Sequence, residues 1–146
     1  MRFYPKASLR ILILTIFFTG VGLFIVWDHS RVNRDFSKLK VLLLNTRHQA
    51  IIENKTLVAR FVDRQVVITD NNTDKTIQTL NIPTLNQGNY NTTLDDNMIV
   101  FDGLGTSTYN KRIHGGDIRL KSWLGFRKNI AVNCKGFVSE GLYPAE

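Results

Sequence analysis

Internal disulfides are excluded from this 146-residue chain, because it holds one cysteine, Cys134. Any exported domain built from it has to stand on its apolar core alone. Cys134 falls in the alternating stretch "NIAVNC", a pattern that predicts a buried, inert thiol. Charge is missing from residues 11–27, and acid is missing from the ten residues before them, which carry Arg2, Lys6 and Arg10. Proline and glycine are missing from residues 23–54, so nothing there interrupts a helix. No internal repeat or low-complexity tract occurs.

The residue constellations of catalysis are missing as well. His29, His48 and His114 are far apart, have no ligand spacing with Cys134 or with carboxylates, and are expected to face solvent. "GLGTS" (103–107) lacks the third glycine of a dinucleotide fingerprint and the Gly-Lys-Ser/Thr ending of a phosphate loop, and is expected to be a β-turn. Asp95-Asp96 and the pair Asp70 and Asp74 lie in polar stretches that do not meet the calcium-loop pattern. No Ser-His-Asp spacing can be argued. The three Asn-x-Ser/Thr sequons, at Asn54, Asn71 and Asn91, sit in an Asn/Thr-rich context where they arise by chance. The expectation is a protein that is not an enzyme, with no cofactor, no metal and no small-molecule substrate.

What the chain does have is an apolar run of seventeen residues, 11–27, behind a basic leader, 1–10. A membrane span needs ~20 apolar residues, so the run is at the short end, with Val32 and Phe36 extending its apolar side. The leader's charge predicts a cytoplasmic amino end and an exported remainder. "LFIVWDHS" offers bulky side chains where a signal peptidase needs small ones, so the run is expected to be retained as an anchor. Beyond it, Val32, Phe36, Leu39, Leu43 and Ala50 recur at spacings of three, four and seven, with Arg, Lys and Asp between them. The anchor therefore continues into an amphipathic half, 28–55, as one rod about 70 Å long that ends near Asn54.

From residue 56 the pattern is that of strands. "TLVARFVD" and "RQVVIT" meet at Asp63-Arg64 in a tight hairpin, "DNNTDK" turns into "TIQTLNI", and residues 82–97 form a polar connection. "MIVF" is a short buried strand. "GGDIRLKSW" alternates Ile118 and Leu120 with Arg119 and Lys121, and "NIAVNCKGFVSE" alternates and then turns at Lys135-Gly136. One long helix followed by six or seven mostly antiparallel strands is an α+β plan. The formal charge of +7 is unevenly placed. Residues 28–110 hold nine basic and nine acidic residues, whereas residues 111–135 hold Lys111, Arg112, Arg119, Lys121, Arg127, Lys128 and Lys135 against Asp117 alone.

Three strings in order resemble the minor pseudopilins of the GspH/FimT type, from type II secretion and type IV pilus systems. "LLLNTRHQAIIENKTLVARF" (42–61) looks like that family's helix end through Arg47, Ala50, Ile51 and Asn54, with Thr46 in place of the usual alanine. "MIVFDGLGTS" matches through Ile99, Phe101, Gly105 and Ser107, and "NIAVNCKGFVSEG" through Ile130, Val132, Gly136 and Val138. The resemblance implies a pilin-like fold, a long amino-terminal helix on an antiparallel sheet domain (56–146). It also implies a noncatalytic subunit in a bacterial inner membrane, with its sheet domain in the periplasm and other pilin or pseudopilin helices as partners. The amino terminus departs from the family: no glycine precedes the run and no glutamate lies within it, so Ala7 stands where the family's glycine would, and leader cleavage would fall between Ala7 and Ser8. The alternative is a membrane-anchored, FimT-like receptor touching DNA phosphates through Arg112, Arg119, Lys121, Arg127, Lys128 and Lys135. The family's DNA-binding members carry Gly-Arg-x-Arg near the end, where this chain has "GFVSEG" with Glu140. A secreted binding domain with a cleaved signal is a third reading.

Overall fold

Forty-nine consecutive residues of the computed structural model, which describes residues 5–85, 97–109, 112–113 and 116–141, form a single helix, α1 (Pro5–Glu53). At 1.5 Å per residue the helix runs ~74 Å, the rod its uninterrupted sequence predicts. It ends in a Schellman motif. Asn54 takes a left-handed φ of 48°, its N–H donates to the Ile51 carbonyl at 3.2 Å, and the Lys55 N–H donates to the Ala50 carbonyl at 3.0 Å.

The chain then builds a four-stranded antiparallel sheet from β1 (Leu57–Val62), β2 (Gln65–Asp70), β3 (Thr76–Asn81) and β4 (Met98–Phe101), in the order β3-β2-β1-β4. Val62 pairs with Gln65, so the β1–β2 connection is the two-residue turn expected at Asp63-Arg64, with Asp63 at φ 54°. At the other end of β2, the Asp70 side chain accepts the Asn72 N–H at 2.8 Å and shapes the turn into β3. β3 is an edge strand and almost wholly exposed, with Thr76, Gln78, Thr79 and Asn81 among its six residues.

A second antiparallel sheet holds β7 (Gly116–Lys121), β8 (Arg127–Val132) and β9 (Val138–Glu140); a two-stranded ribbon, β5 (Thr108–Tyr109) and β6 (Arg112–Ile113), lies between them in sequence. Among the described residues, main-chain hydrogen bonds join the sheets at two places. The segment after β3 runs beside β7, where the Lys121 N–H donates to the Thr84 carbonyl at 2.8 Å, and the Ser107 N–H donates to the Cys134 carbonyl at 3.2 Å. The described residues thus hold nine strands rather than six or seven; the β5–β6 ribbon and the separate β9 make the difference.

One stripe of α1 closes both sheets. Val32, Phe36, Leu39, Leu43 and Ala50 are buried as their spacing predicts, together with Leu42. They pack against Leu57, Phe61, Ile68 and Phe101 of the first sheet and Ile118, Leu120, Ile130 and Val132 of the second. Asp95-Asp96 and most of the polar connection lie outside the described residues, as does His114.

The thiol departs from expectation. β8 ends at Val132, and Cys134 is exposed within the turn that follows. The Asn133 carboxamide oxygen accepts the N–H groups of Lys135 and Phe137, both at 3.0 Å, which bends the chain away from the strand that alternation alone would extend. Gly136 completes the turn at φ 74°, and a β-carbon there would lie 2.0 Å from the Gly105 carbonyl oxygen. Gly136→Ala therefore meets both a left-handed backbone and a collision. It is expected to cost at least ~1–2 kcal/mol, the penalty for that backbone region alone. The denaturant midpoint of the full chain in detergent micelles measures this, and an unchanged midpoint would refute it.

Candidate functional site

Every residue from 11 to 27 is exposed, Ile11, Leu14, Phe17, Phe18, Leu23 and Val26 among them. The run is thus an uncovered apolar cylinder about 25 Å long. Its two threonines add no free polar group, since the Thr15 hydroxyl donates to the Ile11 carbonyl and the Thr19 hydroxyl to the Thr15 carbonyl, both at 2.9 Å. The helix is long and apolar enough to cross a membrane.

Where the run ends, α1 is fastened to the domain by polar side chains. Asp28 is buried, and its carboxylate accepts the Leu124 N–H at 2.9 Å from the β7–β8 turn. A hydrogen bond from Ser122 above all, with others from the backbone of Leu124 and Trp123, holds the Asp28 carboxyl below the usual carboxylate range against the opposing effect of burial; Arg31 adds to the lowering. Seven residues on, the buried Asp35 carboxylate accepts the Thr84 N–H at 3.2 Å and the Thr84 hydroxyl at 2.8 Å. Near the helix end, Arg47 Nε donates to the Gly105 carbonyl at 2.9 Å while its guanidinium lies 4.7 Å from the centre of the Phe137 ring. The three strings that carry the family resemblance therefore meet in space: Arg47 from the first, Gly105 and Ser107 from the second, Gly136 from the third. Gly103 joins them, because a β-carbon there would lie 2.4 Å from the Asn54 side-chain oxygen.

Sequence reasoning missed Asp28 and Asp35. The available signal is phase: positions 28, 32, 35, 39, 43, 46 and 50 follow one helical stripe, and two of its members are acids. A carboxylate in register with a buried stripe has to find donors across the interface.

The basic residues are dispersed. Arg119 and Lys121 share the outer face of β7, and Arg127 lies directly opposite Lys121 on β8. Lys128 is opposite the buried Leu120 and points the other way, with Nζ 2.7 Å from Glu140 and 5.0 Å from the centre of the Phe36 ring. Lys135 occupies the turn at the far end of β8, ~17 Å along the strand from Arg127. Arg112 belongs to β6, and Ala7 and Ser8 lie within the first turns of α1.

The glycine-bearing segment after β4 is a closed turn. The Gly105 N–H donates to the Asp102 carbonyl at 2.8 Å, and the Asp102 carboxylate accepts the N–H groups of Leu104 and Thr106. The donors a phosphate would need are thus occupied by the chain's own anion. His29 and His48 are exposed, His29 edge-on to Phe126 with ring centres 5.1 Å apart. Among the described residues, no His, Cys, Asp and Glu groups are arranged to hold a metal.

The carboxyl of Asp28 titrates lower in the folded chain than in the unfolded one, so its contribution to stability is complete above the ordinary carboxylate range and is lost as pH falls through the depressed value. The full chain is expected to exceed Asp28→Asn in denaturant midpoint near neutral pH, with the gap closing below about pH 4. Paired unfolding curves across that interval check it; a gap independent of pH would count against it.

No protein-family model matches this chain, and no curated protein does. Among solved structures it is similar to the type IV minor pilin FimU of Pseudomonas aeruginosa strain PAO1, at a TM-score of 0.59 and 11% identity, over 75% of this chain and 92% of that one. The fold, a long amino-terminal apolar helix laid on antiparallel sheets, is the α+β fold of a pilin, as the three sequence strings imply.

Proposed function

We propose that this chain is a noncatalytic minor pilin-like subunit of the GspH/FimT type, serving a type II secretion or type IV pilus apparatus. Residues 1–10 are a cytoplasmic leader, 11–27 the membrane-spanning half of the helix, 28–55 its amphipathic half and 56–146 a periplasmic sheet domain. The partners are the helices of other pilin-type subunits in the bacterial inner membrane. The observation that carries this reading is the division of α1. One half is packed on the chain's own sheets, while the other half exposes apolar side chains all round, which only lipid or other apolar helices can cover. The leader is retained in much of the protein, and where processing occurs it falls between Ala7 and Ser8.

A photo-crosslinker replacing Phe17 in intact cells is expected to capture another pilin-type chain, whereas one replacing Thr76 on β3 is not. Capture of no pilin-type chain at Phe17 would overturn the assembly reading.

The DNA-receptor reading has one observation in its favour, two cations, Lys121 and Arg127, placed directly opposite each other on neighbouring strands. With Arg119 beside them and the other three cations elsewhere, the subunit reading predicts weak, nonspecific binding to duplex DNA. The slope of log affinity on log salt is then no steeper than about −3. A slope near −5, as all six cations would produce, would favour the receptor.

A further inference from the structure

The turn between β7 and β8 lies beside the last residues of the apolar run. Phe24, within the run, meets the Trp123 ring edge-on with centres 5.6 Å apart, and it stacks on Trp27 at 5.9 Å. Asp28, the first charged residue after the run, holds the Leu124 N–H. Residues 24 and 28 are ~6 Å apart along the helix axis, so Trp123 and Leu124 are level with the end of the apolar cylinder. They are not covered by it. Trp123 is 82% exposed and Leu124 46%, an apolar tip continuous with the 53% exposed Trp27. Tryptophan favours the boundary between hydrocarbon and water, where its ring is shielded and its N–H stays wet.

Beside this tip is a cavity of about 350 Å³ lined by Arg31, Arg64, Lys121 and Ser122, with Asp28 as its one acid among the described residues. That carboxylate is already engaged by the turn's donors, so the three cations dominate the cavity. The Arg31 guanidinium lies 5.4 Å from the centre of the Trp27 ring, placing charge and aromatic surface together.

We propose that the β7–β8 turn is a second membrane contact. Trp123 and Leu124 enter the headgroup layer on the sheet-domain side, and Arg31, Arg64 and Lys121 receive the phosphate of an anionic phospholipid. The inference rests on the anchor reading of residues 11–27. It commits to lipid because the cavity opens beside the very surface that this reading immerses, and because the exposed tip is apolar where a free phosphate ester would need only charge.

The two tryptophans allow a direct test, since Trp27→Phe leaves Trp123 as sole emitter and Trp123→Phe leaves Trp27. The full chain is reconstituted in vesicles carrying brominated acyl chains, of phosphatidylcholine alone or mixed with phosphatidylglycerol. Trp27 is expected to be quenched in both. Trp123 is expected to be quenched most by bromine near the headgroup, and more strongly with phosphatidylglycerol. In a chain whose unfolding midpoint is unchanged, Arg64→Gln or Lys121→Gln should each raise the phosphatidylglycerol fraction giving half the Trp123 effect about fivefold, and leave Trp27 unaffected. Quenching of Trp27 with water-exposed emission from Trp123 would overturn the second contact and leave the anchor standing; an unquenched Trp27 would overturn the anchor itself. A Trp123 shift produced in phosphatidylcholine vesicles by inorganic phosphate alone would assign the cavity to free phosphate instead. Shielding of Trp123 only when another pilin-type chain is added would assign the tip to a subunit contact.

Discussion

A single ladder of backbone hydrogen bonds runs through α1 from the uncovered run into the packed domain, and the rest of the molecule is arranged around that continuity. A helix satisfies its own N–H and C=O groups within one segment, so it can pass from hydrocarbon to a protein interior without a break. The side chains change at Asp28 while the backbone does not. Before it, all faces are apolar and even the threonine hydroxyls are folded back onto carbonyls. After it, one stripe suffices, because two sheets cover that stripe and water meets the rest.

The apolar stripe sets which face of the helix meets the sheets. The polar contacts add a fixed height along the axis. Asp28, Asp35 and Arg47 each reach a different loop, at residues 122–124, 84 and 105, spaced along the packed half. A rotation of one residue, ~100°, would turn that stripe out of the core and would also leave two buried carboxylates without their donors. The sheets are thereby held at one height and one angle on the rod, and the tip at Trp123 is held at the end of the apolar run.

Local pattern carried much of this. The rod, its end at Asn54, the Asp63-Arg64 hairpin and the buried members of β7 follow from spacing and turn chemistry between near neighbours. The three family-like strings lay in the sequence too, and their meeting around Arg47 and Gly136 explains why those residue types recur together. What was not legible depends on distant partners or on a side chain competing with the backbone. Nothing local marks Asp28 and Asp35 as buried, since their donors lie 96 and 49 residues away. Cys134 looked buried because alternation ignores Asn133, whose carboxamide takes the next N–H groups and ends the strand. The basic residues of 111–135 are close in sequence, but strand parity turns Lys128 inward and strand length carries Lys135 away.

The edge strand β3 bears on what the sheet could recruit through its own backbone. Four of its six side chains are polar, Ile77 and Leu80 being the others, and it offers a neighbouring sheet little to bury in exchange for ordering the strand. Sideways recruitment through main-chain pairing is therefore discouraged, although the edge is open. The first half of the rod is the opposite case, since every residue from 11 to 27 is exposed and most are large and apolar, so burial has far more to gain there than along this strand.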